Sequence, residues 1–107
     1  MQIVPLIAIA ALAGAQGAAT KTVSVDDYEF VKSSVSVKRG DSVRFRWRGE
    51  DLHNVRFTAA PRGAAKPKRC GTRSEGSCKR KLKAVGTYRY VCSLHLPGMK
   101  GKIRVRR

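Results

Sequence analysis

In Val43-Arg44-Phe45-Arg46-Trp47-Arg48, apolar and basic side chains alternate with a period of two. Such alternation is typical of a β-strand with one buried and one exposed face. Similar strand-forming runs occur later in the chain, at 53–58, 87–92 and 101–106. No later stretch of about ten residues carries a convincing apolar helical stripe. The sequence therefore predicts an all-β domain.

The strand pattern extends over the chain from residue 21 onward. The predicted strands are 21–25, 34–38, 42–48, 53–58, 79–83, 87–92 and 101–106. We expect 34–38 and 42–48 to pair as a hairpin across a Gly-Asp turn. Residues 26–32 are predicted to be an irregular connection, and the Pro/Gly-rich segment 58–77 a long loop. About seven to eight short strands predict a two-sheet Greek-key β-sandwich.

The N-terminal segment is uncharged and apolar, from Met1 to about Thr20. It is too short to span a bilayer, and Ala13-Gly14-Ala15 and Gly17-Ala18-Ala19 have the small residues that a signal peptidase accepts. We therefore predict a secretory signal peptide at 1–19, cleaved between 15 and 20, before a single domain at 20–107. This implies export to the periplasm or the cell exterior. The segment has no positive charge at its start, so an apolar strand or a late start site remains the alternative.

Three cysteines divide into a pair and one remaining thiol. Cys70 and Cys78 lie in a Gly/Ser-rich stretch, and an exported chain meets an oxidising environment, so we expect them to form a disulfide. An odd cysteine in a secreted protein requires a separate explanation, and for Cys92 a metal is one. Pairing of Cys92 with either of the other two cysteines is the alternative.

The stretch Cys92-Ser93-Leu94-His95-Leu96-Pro97-Gly98-Met99 combines a thiol, an imidazole and a thioether in one predicted loop. The only other histidine is His53, at the edge of an upstream strand. A His₂Cys set with a weak Met contact suits a mononuclear electron-transfer copper centre, because sulfur favours Cu(I) and imidazole accommodates both oxidation states. Each residue alone is compatible with ordinary packing. Their joint spacing favours one copper ion, although zinc fits the same donors.

Several segments resemble the cupredoxins, the plastocyanin/azurin/amicyanin family of small blue copper proteins. The matching segments are Gly40-Asp41-Ser42-Val43, His53-Asn54-Val55, Gly86 to Cys92, and His95 to Met99 followed by Lys100-Gly101-Lys102-Ile103. The resemblance implies a cupredoxin-like sandwich with a type 1 copper site, in which His53, Cys92 and His95 form the equatorial plane and Met99 is the axial contact. It also implies that Asn54 ties the His53 strand to the ligand loop beside Ser93. The three residues between His95 and Met99 place the loop length between the amicyanin-like and plastocyanin-like ones.

The function expected from these features is single-electron transfer by Cu(II)/Cu(I) cycling, not catalysis, because no histidine remains for an oxygen-reducing copper site. Leu94, Leu96 and Pro97 flank His95 and are predicted to form an apolar port for electrons. A copper carrier and a basic polyanion-binding module remain alternatives.

The net charge of +16 favours acidic partners. Six basic residues are expected to surround or back the port: Arg44, Arg46, Arg48, Arg89, Lys100 and Lys102. We expect redox partner proteins and a monomer, with an anionic cell envelope or membrane surface as a further candidate; nucleic acid is disfavoured.

Overall fold

A computed structural model describes residues 17–107, so the predicted signal peptide lies outside the described residues as far as residue 16 and stays a prediction. The described chain forms nine strands: β1 Thr20–Asp26, β2 Glu29–Val31, β3 Ser34–Lys38, β4 Ser42–Trp47, β5 His53–Ala59, β6 Cys70–Arg73, β7 Ser77–Lys81, β8 Gly86–Val91 and β9 Lys100–Arg106. Residues 17–107 contain no helix long and apolar enough to cross a membrane. The all-β prediction is confirmed, with nine strands instead of seven to eight.

The strands form two sheets, as the predicted sandwich requires, and each sheet contains both parallel and antiparallel pairs. One sheet has four strands in the order β2-β1-β4-β7, and the other has five in the order β3-β9-β8-β5-β6. Strand β1 runs parallel to β4, and β3 runs parallel to β9, while the other pairs are antiparallel. The chain passes repeatedly from one sheet to the other, so residues from distant segments meet at the ends of the strands.

The alternating pattern buries one side of each main strand. Val43 and Phe45 on β4 belong to one hydrophobic core with Ile103 and Val105 on β9, and all four are at most 1% exposed. Four aromatic rings form the centre, with neighbouring ring centroids 4.9 to 6.4 Å apart in edge-on or tilted contact: Phe30, Phe45, Phe57 and Tyr90. Such offset geometries are favourable for aromatic rings. The core is thus built from the apolar side chains that alternate with polar ones along the strands.

The predicted hairpin between 34–38 and 42–48 is wrong. Strand β3 pairs with β9, and β4 pairs with β1 and β7, so the two runs belong to opposite sheets. The turn between them is held by Asp41, whose carboxylate accepts bonds from the backbone N–H groups of Ala19 and Lys38, which lowers its pKa. Both runs have a buried apolar face, and these faces belong to the same hydrophobic core from opposite sheets instead of lying side by side in one sheet.

Two other connections contain strands that the sequence did not indicate. Residues 26–32 include β2, in which only Phe30 is buried, and the expected loop 58–77 contains β6, which pairs with β5. The structure joins Cys70 on β6 to Cys78 on β7, with 6.1 Å between their Cα atoms. Since β6 and β7 are edge strands of different sheets, the disulfide closes one side of the sandwich. The cross-link adds stability by restricting the unfolded chain.

Tyr90 fills the space beside Gly101 on the neighbouring strand. A Cβ atom at Gly101 would lie about 2.5 Å from the Tyr90 ring and hydroxyl, so only glycine fits there. The Tyr90 hydroxyl is buried without a hydrogen-bond partner among the described residues, and burial raises the pKa of Tyr90. This hydroxyl therefore costs desolvation energy that no contact offsets.

We predict that Tyr90→Phe raises the free energy of unfolding by about 1 kcal/mol, because it removes a buried hydroxyl that bonds nothing. The matched control is Tyr88→Phe, since the Tyr88 hydroxyl accepts a 3.2 Å hydrogen bond from the backbone N–H of Ala84. That variant should lose about 0.5 to 1 kcal/mol. Chemical denaturation measures both, and an equal loss in the two variants would contradict the prediction.

Candidate metal centre

The two histidines and the unpaired cysteine meet at one end of the sandwich. His53 begins β5, Cys92 directly follows β8, and His95 and Met99 lie in the connection to β9. Three backbone bonds fold this ligand loop, residues 92–99, onto itself: Cys92 N–H to Met99 C=O at 3.0 Å, His95 N–H to Cys92 C=O at 3.3 Å, and Met99 N–H to His95 C=O at 3.2 Å. The Pro-Gly bend inside the loop returns the chain so that Met99 is brought back beside Cys92.

Three donor atoms converge within a space suited to one metal ion. One donor atom each from His53, Cys92 and His95 lie within 4.8 Å of one another. The Cys92 sulfur is 3.9 Å from His53 Nδ1, and the two imidazole centroids are 4.9 Å apart. His53 and Cys92 are fully buried, Met99 is 1% exposed, and His95 is half-buried. Water therefore has access to this cluster mainly beside His95.

The second ring nitrogen of His53 is held by Asp27, a residue that the sequence did not indicate. The Nε2 atom lies 2.7 Å from Asp27 Oδ1, and a histidine bonded in this way donates from Nε2 and keeps Nδ1 free as a ligand. The Asp27 carboxylate also accepts bonds from the backbone N–H groups of Glu50 and Asp51. The bond from Glu50, followed by that from His53, lowers the pKa of Asp27 to about 2. Asp27 is therefore a carboxylate that orients His53.

Gly49 explains how Asp27 reaches this position. A Cβ atom at Gly49 would overlap the Asp27 carboxylate and approach its backbone nitrogen within 2.9 Å. The turn before β5 can therefore close over Asp27 only with glycine at this position. Asp27 precedes His53 by 26 residues and lies in a turn with other acidic residues, so no spacing or motif could have identified it.

Asn54 connects β5 to the ligand loop, as the resemblance implied. Its side-chain oxygen accepts a 2.9 Å bond from the Ser93 backbone N–H, and its amide nitrogen donates a 2.8 Å bond to the Ser93 hydroxyl. The Trp47 indole N–H also donates a 2.9 Å bond to the carbonyl oxygen of His53. The residues next to two of the donors are thus fixed by hydrogen bonds.

Tyr28 is a second neighbour that the sequence did not reveal. Its ring contacts the His95 ring edge-on, with 4.8 Å between centroids, and the His53 ring at 5.8 Å. Its hydroxyl donates a 3.0 Å bond to the Asp51 carboxylate, which raises the pKa of Tyr28. The His95 Nε2 atom lies 3.2 Å from the Leu52 carbonyl oxygen. The exposed side of the cluster is therefore bordered by the β1–β2 turn and the β4–β5 connection.

An apolar surface surrounds the half-buried His95. Leu94 is 50% exposed and Leu96 53%, Pro97 is also exposed, and the nearby Leu52 and Tyr28 are 50% and 56% exposed. The basic residues expected around this surface do not all lie together. Arg44 and Arg46 belong to β4 in one sheet, whereas Arg89 and Lys102 belong to β8 and β9 in the other.

Comparison with known proteins gives the cluster a chemical context. The family model of copper-binding proteins of the plastocyanin/azurin family matches residues 18–106. No curated protein sequence matches the chain.

Solved structures show the same fold. The reduced Cu(I) form of an amicyanin variant is 31% identical, with a TM-score of 0.69, over 90% of this chain and 89% of that one. Oxidised plastocyanin from Dryopteris crassirhizoma is 30% identical, with a TM-score of 0.65, over 79% and 99%. A pseudoazurin from Sinorhizobium meliltoi, at 21% identity, has a TM-score of 0.69 over 83% and 75%. His53, Cys92, His95 and Met99 are thus positioned for a single copper site.

We predict that Asp27→Ala weakens metal binding about 10- to 100-fold, because the loss of the carboxylate frees the His53 ring to rotate and change its tautomer. Asp26→Ala is the matched control, since the Asp26 carboxylate bonds Ser24 and not His53. Competition with a chelator of known affinity measures both variants. Equal affinities for the two variants would contradict the role of Asp27.

Proposed function

Because the chain belongs to the plastocyanin/azurin family of copper-binding proteins, we propose that it carries single electrons between redox proteins as a small blue copper protein. The observation that carries this proposal is the convergence of the His53, Cys92 and His95 donor atoms within 4.8 Å. In this proposal His53, Cys92 and His95 form the equatorial set and Met99 the axial contact. The bound copper supplies a one-electron Cu(II)/Cu(I) couple.

The donor set fits copper on chemical grounds. Cys92 is buried and has no disulfide partner, and its sulfur faces the ring nitrogen of His53 that Asp27 leaves free. A thiolate with two imidazoles and a thioether in a dry setting favours a copper electron-transfer centre over hard cations such as Mg²⁺ or Ca²⁺. The odd cysteine thereby receives its explanation.

The protein's part is to keep the donors in one arrangement in both oxidation states. Asp27 orients His53, the Asn54–Ser93 bonds hold the loop against β5, and the loop's own backbone bonds fix Met99 beside Cys92. A site held from so many sides rearranges little when the charge changes. That property serves electron transfer more than metal delivery, for which buried donors would have to open.

Electrons are proposed to enter and leave through the apolar surface around His95. Leu94, Leu96 and Pro97 form this port, and Leu52 and Tyr28 extend it on the other side. Half-exposed leucines beside a half-buried ligand permit close approach of a partner without hydrated charges between them. The port thus places the imidazole of His95 nearest to the partner.

The proposal includes export and redox partners as further steps. The uncharged N-terminal segment supports export, and the net charge of +16 supports attraction of acidic redox partners. Five of the seven acidic residues lie in the two turns next to the site or at the strand ends that adjoin them: Asp26, Asp27, Glu29, Glu50 and Asp51. The attraction is therefore a property of the whole molecule and not of a basic ring around the port.

We predict that copper-loaded protein absorbs intensely at about 600 nm and titrates reversibly between two oxidation states, as a thiolate–copper centre does. Cys92→Ser should abolish this band, because a hydroxyl replaces the thiolate donor. Leu94→Ser is the matched control, since it places the same side chain at an exposed neighbouring position and should retain the band. A colourless cupric wild-type protein would contradict the electron-carrier function, and rapid loss of copper to a chelator would favour a copper carrier.

We predict that Leu96→Asn slows electron self-exchange between two copies of the protein about tenfold, because a hydrated amide interrupts the apolar contact between them. A tenfold change corresponds to about 1.4 kcal/mol in the free energy of forming that contact. Measurement at about 0.5 M salt screens the repulsion between the two basic copies. Val85→Asn is the control, as Val85 is 39% exposed and precedes β8 at the end opposite Cys92. Equal rates for the two variants, with unchanged absorption spectra, would remove the port from the proposal.

A further inference from the structure

The outer face of the five-stranded sheet carries many exposed basic side chains. Its strands alternate buried apolar residues with exposed ones, and the exposed positions include seven cations: Lys38, Arg56, Arg89, Lys100, Lys102, Arg104 and Arg106. No acidic residue occurs in any strand of this sheet. We call this surface the cationic face.

The cations of this face form no ion pair within the described residues, although the Asp41 carboxylate lies near Lys38 and Arg106 at one edge. Among residues 17–107, no Lys or Arg forms an ion pair with a carboxylate, and the one acid–base pair recorded is His53 with Asp27. Arg89 lies directly opposite Lys102, and Lys38 directly opposite Arg106. Like charges in directly opposed positions destabilise a sheet. The face therefore has a cost in the free molecule that an anionic surface would offset.

The opposite sheet shows that the asymmetry is not a simple result of a basic composition. The outward positions of the four-stranded sheet include four cations, which are Arg44, Arg46, Lys79 and Lys81. They also include two acids, Asp26 and Glu29, which lie opposite one another in the pairing of β1 with β2. Acids thus occur in the strands of the four-stranded sheet and in none of the strands of the five-stranded sheet.

The shape and chemistry of the cationic face indicate what it binds. The large exposed apolar side chains all lie outside the strands of this sheet: Tyr28, Val31, Leu52, Val85, Leu94 and Leu96. The face consequently lacks the apolar centre of a protein interface and the exposed aromatic rings on which nucleobases stack. Its cations stand about 7 Å apart along a strand and about 5 Å apart across strands, as a two-dimensional array.

A shallow open depression on this face suits a single phosphate headgroup. It has a volume of about 440 Å³, and its lining includes Arg89, Lys100 and Lys102 together with Ser33 and Ser34. Ammonium and guanidinium groups beside hydroxyls supply charged and neutral donors to phosphate oxygens. Clusters of four to eight Lys and Arg residues are typical of proteins that adsorb to anionic lipids.

We propose that the cationic face adsorbs to an anionic lipid membrane. The copper centre lies where β8 ends and β5 begins, at an end of the strands and not on their outer face. A molecule lying on this face therefore keeps the apolar port clear of the membrane and open to a partner at the same surface. This binding needs no copper, so its failure would leave the electron-carrier function untouched.

The experiment measures binding of the purified protein to sedimented vesicles. The vesicles contain about three parts phosphatidylcholine to one part phosphatidylglycerol, and pure phosphatidylcholine is the neutral reference. The test variant is Arg89→Gln/Lys102→Gln/Arg104→Gln, and the matched control is Arg44→Gln/Arg46→Gln/Lys79→Gln, which removes the same charge from the opposite face. Each cation at the surface contributes about fivefold, so we expect the test variant to lose about 100-fold in partition coefficient and the control less than about fivefold.

Each outcome decides the proposal. Two results together support the membrane proposal. The unmodified protein should bind anionic vesicles at about 50 mM salt and lose this binding at about 500 mM, and only the test variant should fail to bind at the lower salt concentration. Equal losses in both variants would show that net charge alone is responsible and would overturn it, as would no binding by the parent. Weak vesicle binding together with tight duplex DNA binding through the same three residues would also overturn it, in favour of nucleic acid. If a triple variant fails to fold, the single variants Arg104→Gln and Arg46→Gln replace it, with an expected loss of about fivefold for the first only.

Discussion

Two hydrogen bonds between Asn54 and Ser93 hold the start of β5 against the ligand loop, and the other contacts of the metal centre build on them. Each partner stands directly next to a donor residue, because Asn54 follows His53 and Ser93 follows Cys92. The bonds therefore fix the separation of imidazole and thiol from the adjoining positions. Both ends of the buried amide are used, so loss of Asn54 would remove the acceptor of the Ser93 N–H and the donor to its hydroxyl together. The position of the loop, and with it His95 and Met99, follows from this contact.

The sequence allowed the prediction of the long alternating strands and of the ligand loop, but not of the short strands β2 and β6. The period of two gave the strands that bury Val43, Phe45, Ile103 and Val105, and the short spacing from Cys92 to Met99 gave three of the four residues that meet. The pairing between strands was harder to predict from the sequence. The valines of β3 are buried equally well whether β3 lies beside β4 in one sheet or belongs to the opposite sheet. The choice of β9 as its partner depends on how the two sheets close, which no short window of sequence contains.

The border of the site was not predictable for a similar reason. Asp27 and Tyr28 lie in a turn whose sequence suggests only an exposed connection, and their roles depend on Gly49 allowing close approach of another turn. The centre is consequently built from three segments: the ligand loop, the start of β5 and the β1–β2 turn. A histidine that has one nitrogen bound to a carboxylate already has the tautomer that a metal requires. Folding, and not the metal, thereby sets the orientation of His53.

The distribution of charge follows from the same architecture. The turns that close over His53 need carboxylates as acceptors for their backbone N–H groups, so acidic residues collect at that end of the molecule. The outer face of the five-stranded sheet has no such need, and its exposed positions are free to carry cations without acids. Because a sheet face and a strand end point in perpendicular directions, the two surfaces do not compete for space. The proposed lipid contact and the proposed partner contact therefore use different surfaces of the same sandwich that assembles the donors.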